Sequence, residues 1–174
     1  MSNLRCYKQM PIWSNKTLPQ NFREKHNTQE GTWAKLTILQ GELVFAMLSE
    51  NGEIISEETF NASHQPSLVS PQAWHKIVST SSDIACQLEF FCEPERYFEK
   101  KYGLVPTHSE IRMASKILHS AGTALDLGCG NGRNTLFLSE KGFEVDAWDI
   151  NKASINKLNE IIGAEKIDHI HTEI

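Results

Sequence analysis

The chain is poor in the features that would take it out of the ordinary globular class. Its 174 residues include four cysteines, Cys6, Cys86, Cys92 and Cys129, and no two form a C-x-x-C pair. In a reducing compartment these thiols need not pair. No apolar run approaches the roughly 18 residues of a membrane span. The opening MSNLRCYKQMPIW has no apolar core of the length a secretory signal uses. A cytoplasmic protein with no membrane partner is the expectation. Basic residues are also scarce, with 17 Lys and Arg against 22 Asp and Glu, a net charge of −5. Residues 1–95 hold seven basic and eleven acidic side chains, and residues 96–174 hold ten and eleven. Neither half offers the basic surface that a phosphate backbone demands, so nucleic acid is not an expected partner. Repeats and low-complexity stretches are absent too. With 40% hydrophobic and 22% charged residues, neither global disorder nor a fibrous repeat fits.

What is there changes character near residue 95. Before it the apolar pattern has period two. Ile84, Cys86, Leu88, Phe90 and Cys92 alternate with Gln87 and Glu89, which predicts a half-buried strand. Trp33–Leu39 and Leu43–Leu48 read as two more strands joined by a tight turn at Gln40-Gly41-Glu42. Asn51-Gly52 predicts a type I′ hairpin turn. Ser67–Ser70 and Trp74–Ser79 add short strands around Pro71. Several strands at regular spacing predict a small antiparallel sandwich or barrel.

After residue 95 the period is helical. A short helix is expected from Pro94 to near Gly103. Thr107-x-x-Glu110 fits a capping box opening a second helix, with Ile111, Ala114, Ser115 and Leu118 on one face and Gly122 as its stop. Strand Thr123–Leu127, helix Asn134–Lys141 closed by Gly142, strand Glu144–Trp148, helix Ser154–Ile162 closed by Gly163, and a strand from Ile167 follow. This alternation predicts a parallel, doubly wound sheet. Two domains result, residues 1–95 and 96–174.

The most informative stretch is Asp126-Leu-Gly128-Cys-Gly130-Asn-Gly132-Arg133-Asn134, where an apolar strand runs through three glycines into a helix. Glycines there let a ligand lie against the backbone, at the end of the strand where open α/β sheets leave their crevice. A dinucleotide fingerprint would need a third glycine at position 133 and finds Arg133, which disfavours an NAD-linked oxidoreductase. Asp149 ends the next strand, one strand–helix–strand unit after Asp126. As an acceptor-only carboxylate it can take both hydroxyls of an adenosine ribose, with Trp148 and Ile150 placed to sandwich an adenine. Asp149 as a helix cap, and the glycines as turn formers, are the plainer alternatives. Arg133 and Asn134 can meet a cofactor carboxylate or cap the helix. Cys129 has no base near it in sequence and needs only to be small.

Asp126-Leu-Gly-Cys-Gly-Asn-Gly132 followed by Asp149 resembles the S-adenosylmethionine (SAM) site of class I methyltransferases. With Tyr97-Phe98-x-x-Lys-Tyr102, Thr107-His-Ser-Glu110 and Val145-Asp-Ala-Trp-Asp149, the second half is similar to the tellurite-resistance methyltransferases of the TehB type. Phe22-Arg-Glu-Lys-His26, Gly31-Thr-Trp-x-Lys-Leu-Thr37, Pro71-Gln-Ala-Trp-His75 and Phe90–Glu93 resemble the cupin-like domain that some members carry in front. The resemblance implies an antiparallel cupin-like β-sandwich followed by a Rossmann-like methyltransferase portion, an α+β two-domain chain. It implies SAM as cofactor, with Asp126, Gly128 and Gly130 at its methionine end, Gly132 in the cradle, Asp149 on its ribose and Tyr102 and His108 closing over it; a structural role for Tyr102 and a neighbouring-cap role for His108 stand beside that. The implied substrate is a tellurium or selenium oxyanion, methylated by displacement at the sulfonium methyl.

Two further expectations concern what surrounds this site. From Thr123 to Ile174 there are 52 residues, two strand–helix units and the start of a third strand. The chain is therefore expected to stop inside the methyltransferase domain, with little of the substrate site, and Thr123–Leu127 is expected to face water with apolar residues. In the β-domain, His26, His75 and Glu24 form the candidate metal set, with His64 nearby in sequence; isolated histidines are more often surface or hydrogen-bonded core residues. A small-ligand or metal-binding β-domain ahead of a non-catalytic remnant is the alternative function.

Overall fold

The computed structural model of the chain describes residues 3–118 and 122–174. It divides into two compact units, Met1–Pro94 and Glu95–Ile174. In the first unit the described residues form seven strands: β1 (Arg5–Gln9), β2 (Trp13–Ser14), β3 (Trp33–Gln40), β4 (Glu42–Leu48), β5 (Ile54–Asn61), β6 (His75–Thr80) and β7 (Ala85–Cys92). They make two antiparallel sheets. In one, β7 pairs with β3 along one edge and with β1 and β2, end to end, along the other. The second sheet has the order β5-β4-β6. The period-two face of β7 is buried at Ile84, Cys86, Leu88 and Cys92. It shares one core with Leu36 and Ile38 of β3, Leu43 and Phe45 of β4, Phe60 of β5 and Ile77 of β6. Each such side chain contributes about 1.5–3 kcal/mol by leaving water.

The turns differ from the expectation in instructive ways. Gly41 does not close a β3–β4 hairpin; it carries the chain from one sheet to the other. Its φ is +73°, and a Cβ there would press on the Ser81 side chain and come within 3.0 Å of the Ile84 Cα. Only glycine fits both demands. The β4–β5 hairpin forms, but not through a type I′ turn: Gly52 has φ +89° while Asn51 does not enter the left-handed region. The loop is instead closed by Ser49 N–H to Glu53 O and Gly52 N–H to Ser49 O. Ser67–Ser70 is not a strand. Gln65 takes the place of a neighbouring strand by bonding both the N–H and the C=O of Ile38 at 2.8 Å, and Val69 forms a single bridge to Ala34. The chain between them bows away from β3. Strands β1 and β2 escape sequence reading because their residues show no alternation of apolar and polar types.

The second unit contains α1 (Tyr97–Tyr102), α2 (Ser109–Ile117), β8 (Thr123–Leu127), α3 (Arg133–Glu140), β9 (Glu144–Trp148), α4 (Lys152–Glu165) and β10 (Ile170–Glu173). The three strands are parallel in the order β10-β9-β8, so successive strands lie side by side, joined by helices. Val145, Ala147 and Ile170 on one face of the sheet are buried with Leu136 and Phe137 of α3 and Ile155, Leu158 and Ile161 of α4. On the opposite face Leu125, Leu127 and Trp148 are exposed.

Two helix ends depart from expectation. The capping box at Thr107 and Glu110 does not form. The Thr107 hydroxyl donates to the Arg133 carbonyl at 3.0 Å, Glu110 accepts from the Ser109 hydroxyl, and His108 occupies the cap position without its ring bonding the first turn of the helix. A tertiary partner outcompetes the local one. Residues 119–121, the end of that expected helix before Gly122, lie outside the described residues. Helix α4 runs through Gly163, and Lys166, at φ +55°, ends it. Its last turn is held by Glu165, whose carboxylate accepts from Tyr97 at 3.1 Å, Lys101 at 2.7 Å and Tyr102 at 2.5 Å. Three donors from α1 outweigh the helix-breaking tendency of one glycine, about 1 kcal/mol.

Candidate functional site

The glycine loop sits where β8 ends and α3 begins, and three backbone features shape it. Gly128, Gly130 and Gly132 have φ of +72°, +54° and +88°. The Gly128 and Cys129 N–H groups both donate to the Trp148 carbonyl, at 2.8 and 3.0 Å, which ties the loop to the end of β9. The Gly130 N–H donates to Asp149 Oδ2 at 2.7 Å, and the Asn151 N–H to Oδ1 at 2.8 Å. Those bonds, from Asn151 first and then Gly130, hold the Asp149 carboxyl below its ordinary range. Each oxygen keeps a lone pair for a further donor.

The three glycines are not equivalent. A Cβ at Gly128 or Gly130 would meet nothing within 4 Å, so both face open space. A Cβ at Gly132 would run into Leu158, reaching Cγ and Cδ2 at 3.2 Å and Cδ1 closer still. The first two glycines leave room for a ligand, and the third lets α3 and α4 pack. Above the loop is a cavity of about 370 Å³, lined by the loop from Gly128 to Asn131, by Arg133, and by Gly103-Leu104-Val105. Little in the sequence marks the latter segment; its one signal is Gly103, left-handed at φ +66° where α1 ends.

The remaining expected residues fall in several places. Asp126 is not in the cavity wall. It lies beneath the loop, where its carboxylate accepts from the fully buried Thr135 hydroxyl at 2.6 Å and joins β8 to α3. Arg133 does line the cavity, with its guanidinium on the Pro106 carbonyl and the His108 ring. Asn134 accepts from the His108 N–H at 3.2 Å. Neither residue caps α3; both hold the 106–108 segment over the start of that helix. His108 is thus at the loop through Arg133. Tyr102 points to Glu165, and burial, with the adjacent carboxylate, raises its hydroxyl above the ordinary tyrosine range. Ile150, beside Asp149, is an apolar side chain left 95% exposed. Burial, and then the charges of Asp126 and Asp149, push the Cys129 thiol up to about 11, so it remains a neutral thiol and no nucleophile.

In the first unit His26 and His75 are brought together. They form an antiparallel bridge with ring centroids 4.2 Å apart. The Nδ1 atoms bond the carbonyls of Glu24 and Ala73, at 2.9 and 2.8 Å, and the His26 Nε2 is buried without a partner. Desolvation lowers His75 to about 4. Only the backbone of Glu24 takes part, and His64 lies elsewhere, on Glu58. Among the described residues no group of three or more His, Cys, Asp or Glu is arranged to hold a metal. No described helix is long and apolar enough to cross a membrane.

Comparison with known proteins agrees with this geometry. Residues 8–88 match the model of the TehB-like domain, and residues 90–174 match that of the tellurite resistance protein TehB. A curated relative from Haemophilus influenzae, strain Rd, the probable S-adenosyl-L-methionine-dependent methyltransferase TehB, is 48% identical over 167 residues, 96% of this chain and 58% of the relative. Its counterpart from strain 10810 is 47% identical over the same length. The crystal structure of TehB from Haemophilus influenzae superposes with a TM-score of 0.90 at 47% identity, covering 98% of this chain and 59% of that one. This chain thus spans a little under three fifths of the relatives it matches. With both units matched and the fold shared throughout, the chain belongs to the TehB family.

Proposed function

We propose that the second unit binds SAM and that the chain serves SAM-dependent methyl transfer to an electron-rich small molecule, with a tellurium or selenium oxyanion as the substrate class. The single observation that carries the reading is the open cradle: two glycines whose missing side chains leave free space, beside a carboxylate with lone pairs to spare. Gly128 and Gly130 let the cofactor approach the backbone. Asp149 accepts the ribose hydroxyls, and the exposed Ile150 covers one face of the adenine. The Arg133 guanidinium, in the cavity wall, faces the carboxylate of the methionine moiety. Asp126 and Gly132 are positioning residues that hold β8, α3 and α4 in register under the loop. When bound, SAM supplies an electrophilic methyl group that a lone pair can take by displacement. A nucleophile with its own lone pair needs positioning more than proton removal. A cupin-like β-domain in front, a cytoplasmic setting, and no nucleic-acid or membrane partner complete the proposal.

Calorimetric titration of the 174-residue chain with SAM and, separately, with NAD tests it. Saturable SAM binding, no NAD binding, and weaker SAM binding by Asp149→Ala are expected. Absence of heat at millimolar SAM in a folded sample would refute the reading. Transfer of a labelled methyl group to tellurite or selenite tests the substrate class.

A further inference from the structure

The first unit has a cavity of about 320 Å³, within the range of small-molecule pockets. It lies between β4, β5 and the bowed segment after Gln65. Phe45 and Met47 of β4 form its floor, Ser56, Glu58 and Phe60 of β5 one wall, and Leu68 part of the other. Alternate residues of a strand share a face, so Ser56 and Glu58 occupy the side of β5 on which Phe60 enters the core. Phe60 alone is buried on that side; Ser56 and Glu58 are exposed, so the cavity opens to water past a hydroxyl and a carboxylate.

The opposite wall is fixed before any ligand arrives. Gln65 is clamped to both backbone groups of Ile38, and Val69 exchanges two backbone bonds with Ala34 at 2.8 and 3.0 Å. A rigid wall reduces the ordering cost of binding. The charge is equally defined. Among the described residues that line the cavity, Glu58 is the one formally charged side chain, and none is Lys or Arg. His64 stacks on Phe60 with ring centroids 5.0 Å apart, and its Nε2 lies 2.7 Å from Glu58 Oε1. The ring orients the carboxylate and leaves Oε2 to accept from elsewhere.

Phe45, Met47, Phe60 and Leu68 supply apolar surface for a ligand body, and the carboxylate attracts a cation and repels an anion. We propose that this cavity is a second binding site, for a small organic cation with an apolar or aromatic body, such as an alkylated amine. It is distinct in chemistry from the glycine-loop site and unsuited to an oxyanion.

Benzyltrimethylammonium is the probe, titrated into the full 174-residue chain and followed by amide and methyl NMR shifts, with benzenesulfonate as the anion of similar size. Saturable shifts confined to β4, β5 and residues 65–70 are expected for the cation and none for the anion. Glu58→Gln should weaken binding by about tenfold. Ser56→Trp, at an exposed lining position, should abolish it by filling the cavity, with the remaining spectrum unchanged. Equal binding of both probes, shifts outside the cavity only, no saturation by the cation, or undiminished affinity in Glu58→Gln would each overturn the proposal.

Discussion

Substituting Gly132 by alanine separates the packing role of this glycine from the ligand role of its neighbours. The residue has φ +88°, and the new Cβ would meet three atoms of Leu158, two of them at 3.2 Å. Leu158 is fully buried, so it can move only by opening the α3–α4 contact. The left-handed backbone costs an alanine about 1–2 kcal/mol. Overpacking a closed site adds about 1–3 kcal/mol. Together they predict a loss of about 2–5 kcal/mol. At Gly128 and Gly130 only the backbone cost of about 1–2 kcal/mol applies, because their Cβ positions are open. Among the described residues all four α-helices lie in the second unit, so urea unfolding followed by circular dichroism at the helical band reports on it. Gly132→Ala should lower the midpoint most. Gly128→Ala and Gly130→Ala should lower it less, by the backbone cost of about 1–2 kcal/mol alone, while losing SAM affinity. Adding Leu158→Ala to Gly132→Ala removes the clashing atoms, so the double variant should be about 1–2 kcal/mol more stable than the two single losses imply. A Gly132→Ala loss under about 1 kcal/mol, or strict additivity with Leu158→Ala, would refute the packing account.

Three further outcomes follow from the same structure. Burial pushes the Glu165 carboxyl up, but bonds from Lys101, Tyr102 and Tyr97 outweigh it and leave it below the usual 4.5. A depressed carboxyl stabilises fully above its unfolded pKa, so the second unit should weaken as pH falls below about 4.5, and Glu165→Ala should cost about 1–3 kcal/mol at neutral pH and flatten that acid slope in a pH series of urea melts. His75 titrates near 4 instead of 6.5 because it is desolvated; the unfolded chain takes up its proton first, so the first unit should lose about 3 kcal/mol between pH 6.5 and 4 and nothing above. Tryptophan fluorescence is the readout, since Trp13, Trp33 and Trp74 are in that unit, and an unchanged slope in His75→Phe would sink the assignment. Gln65→Ala leaves both backbone groups of the buried Ile38 without their side-chain partner and should cost about 1–3 kcal/mol by denaturant titration.

Features carried by one short stretch of chain were readable from sequence, and features that needed a distant partner were not. The parallel order of β8, β9 and β10 follows from apolar strands alternating with helices. The loop is announced by glycines at alternate positions, and Asp149 by its distance from Asp126. Thr107 illustrates the opposite case: its spacing from Glu110 is right for a cap, but Arg133, 26 residues on, offers a better acceptor. Glu165 looks like any helix-surface acid until α1 brings it three donors. Gly132 and Gly130 are indistinguishable in sequence, and only the position of Leu158 tells them apart. Gln65 resembles a loop residue because its partner is a strand backbone 27 residues earlier.

The placement of β7 bears on how the first unit is made. It is the last strand of that unit, yet β1, β2 and β3 all find their partner in it. Arg5 pairs with Cys92 and Trp33 with Phe91, so the sheet cannot close until nearly the whole unit has left the ribosome. Contacts of such long range make folding slow, and closing a longer loop adds only slowly to its entropic cost. The β4–β5 hairpin, with its local turn, can form during synthesis. The three earlier strands must wait, and a nascent chain halted before residue 85 would hold half a sandwich with nothing to seal it.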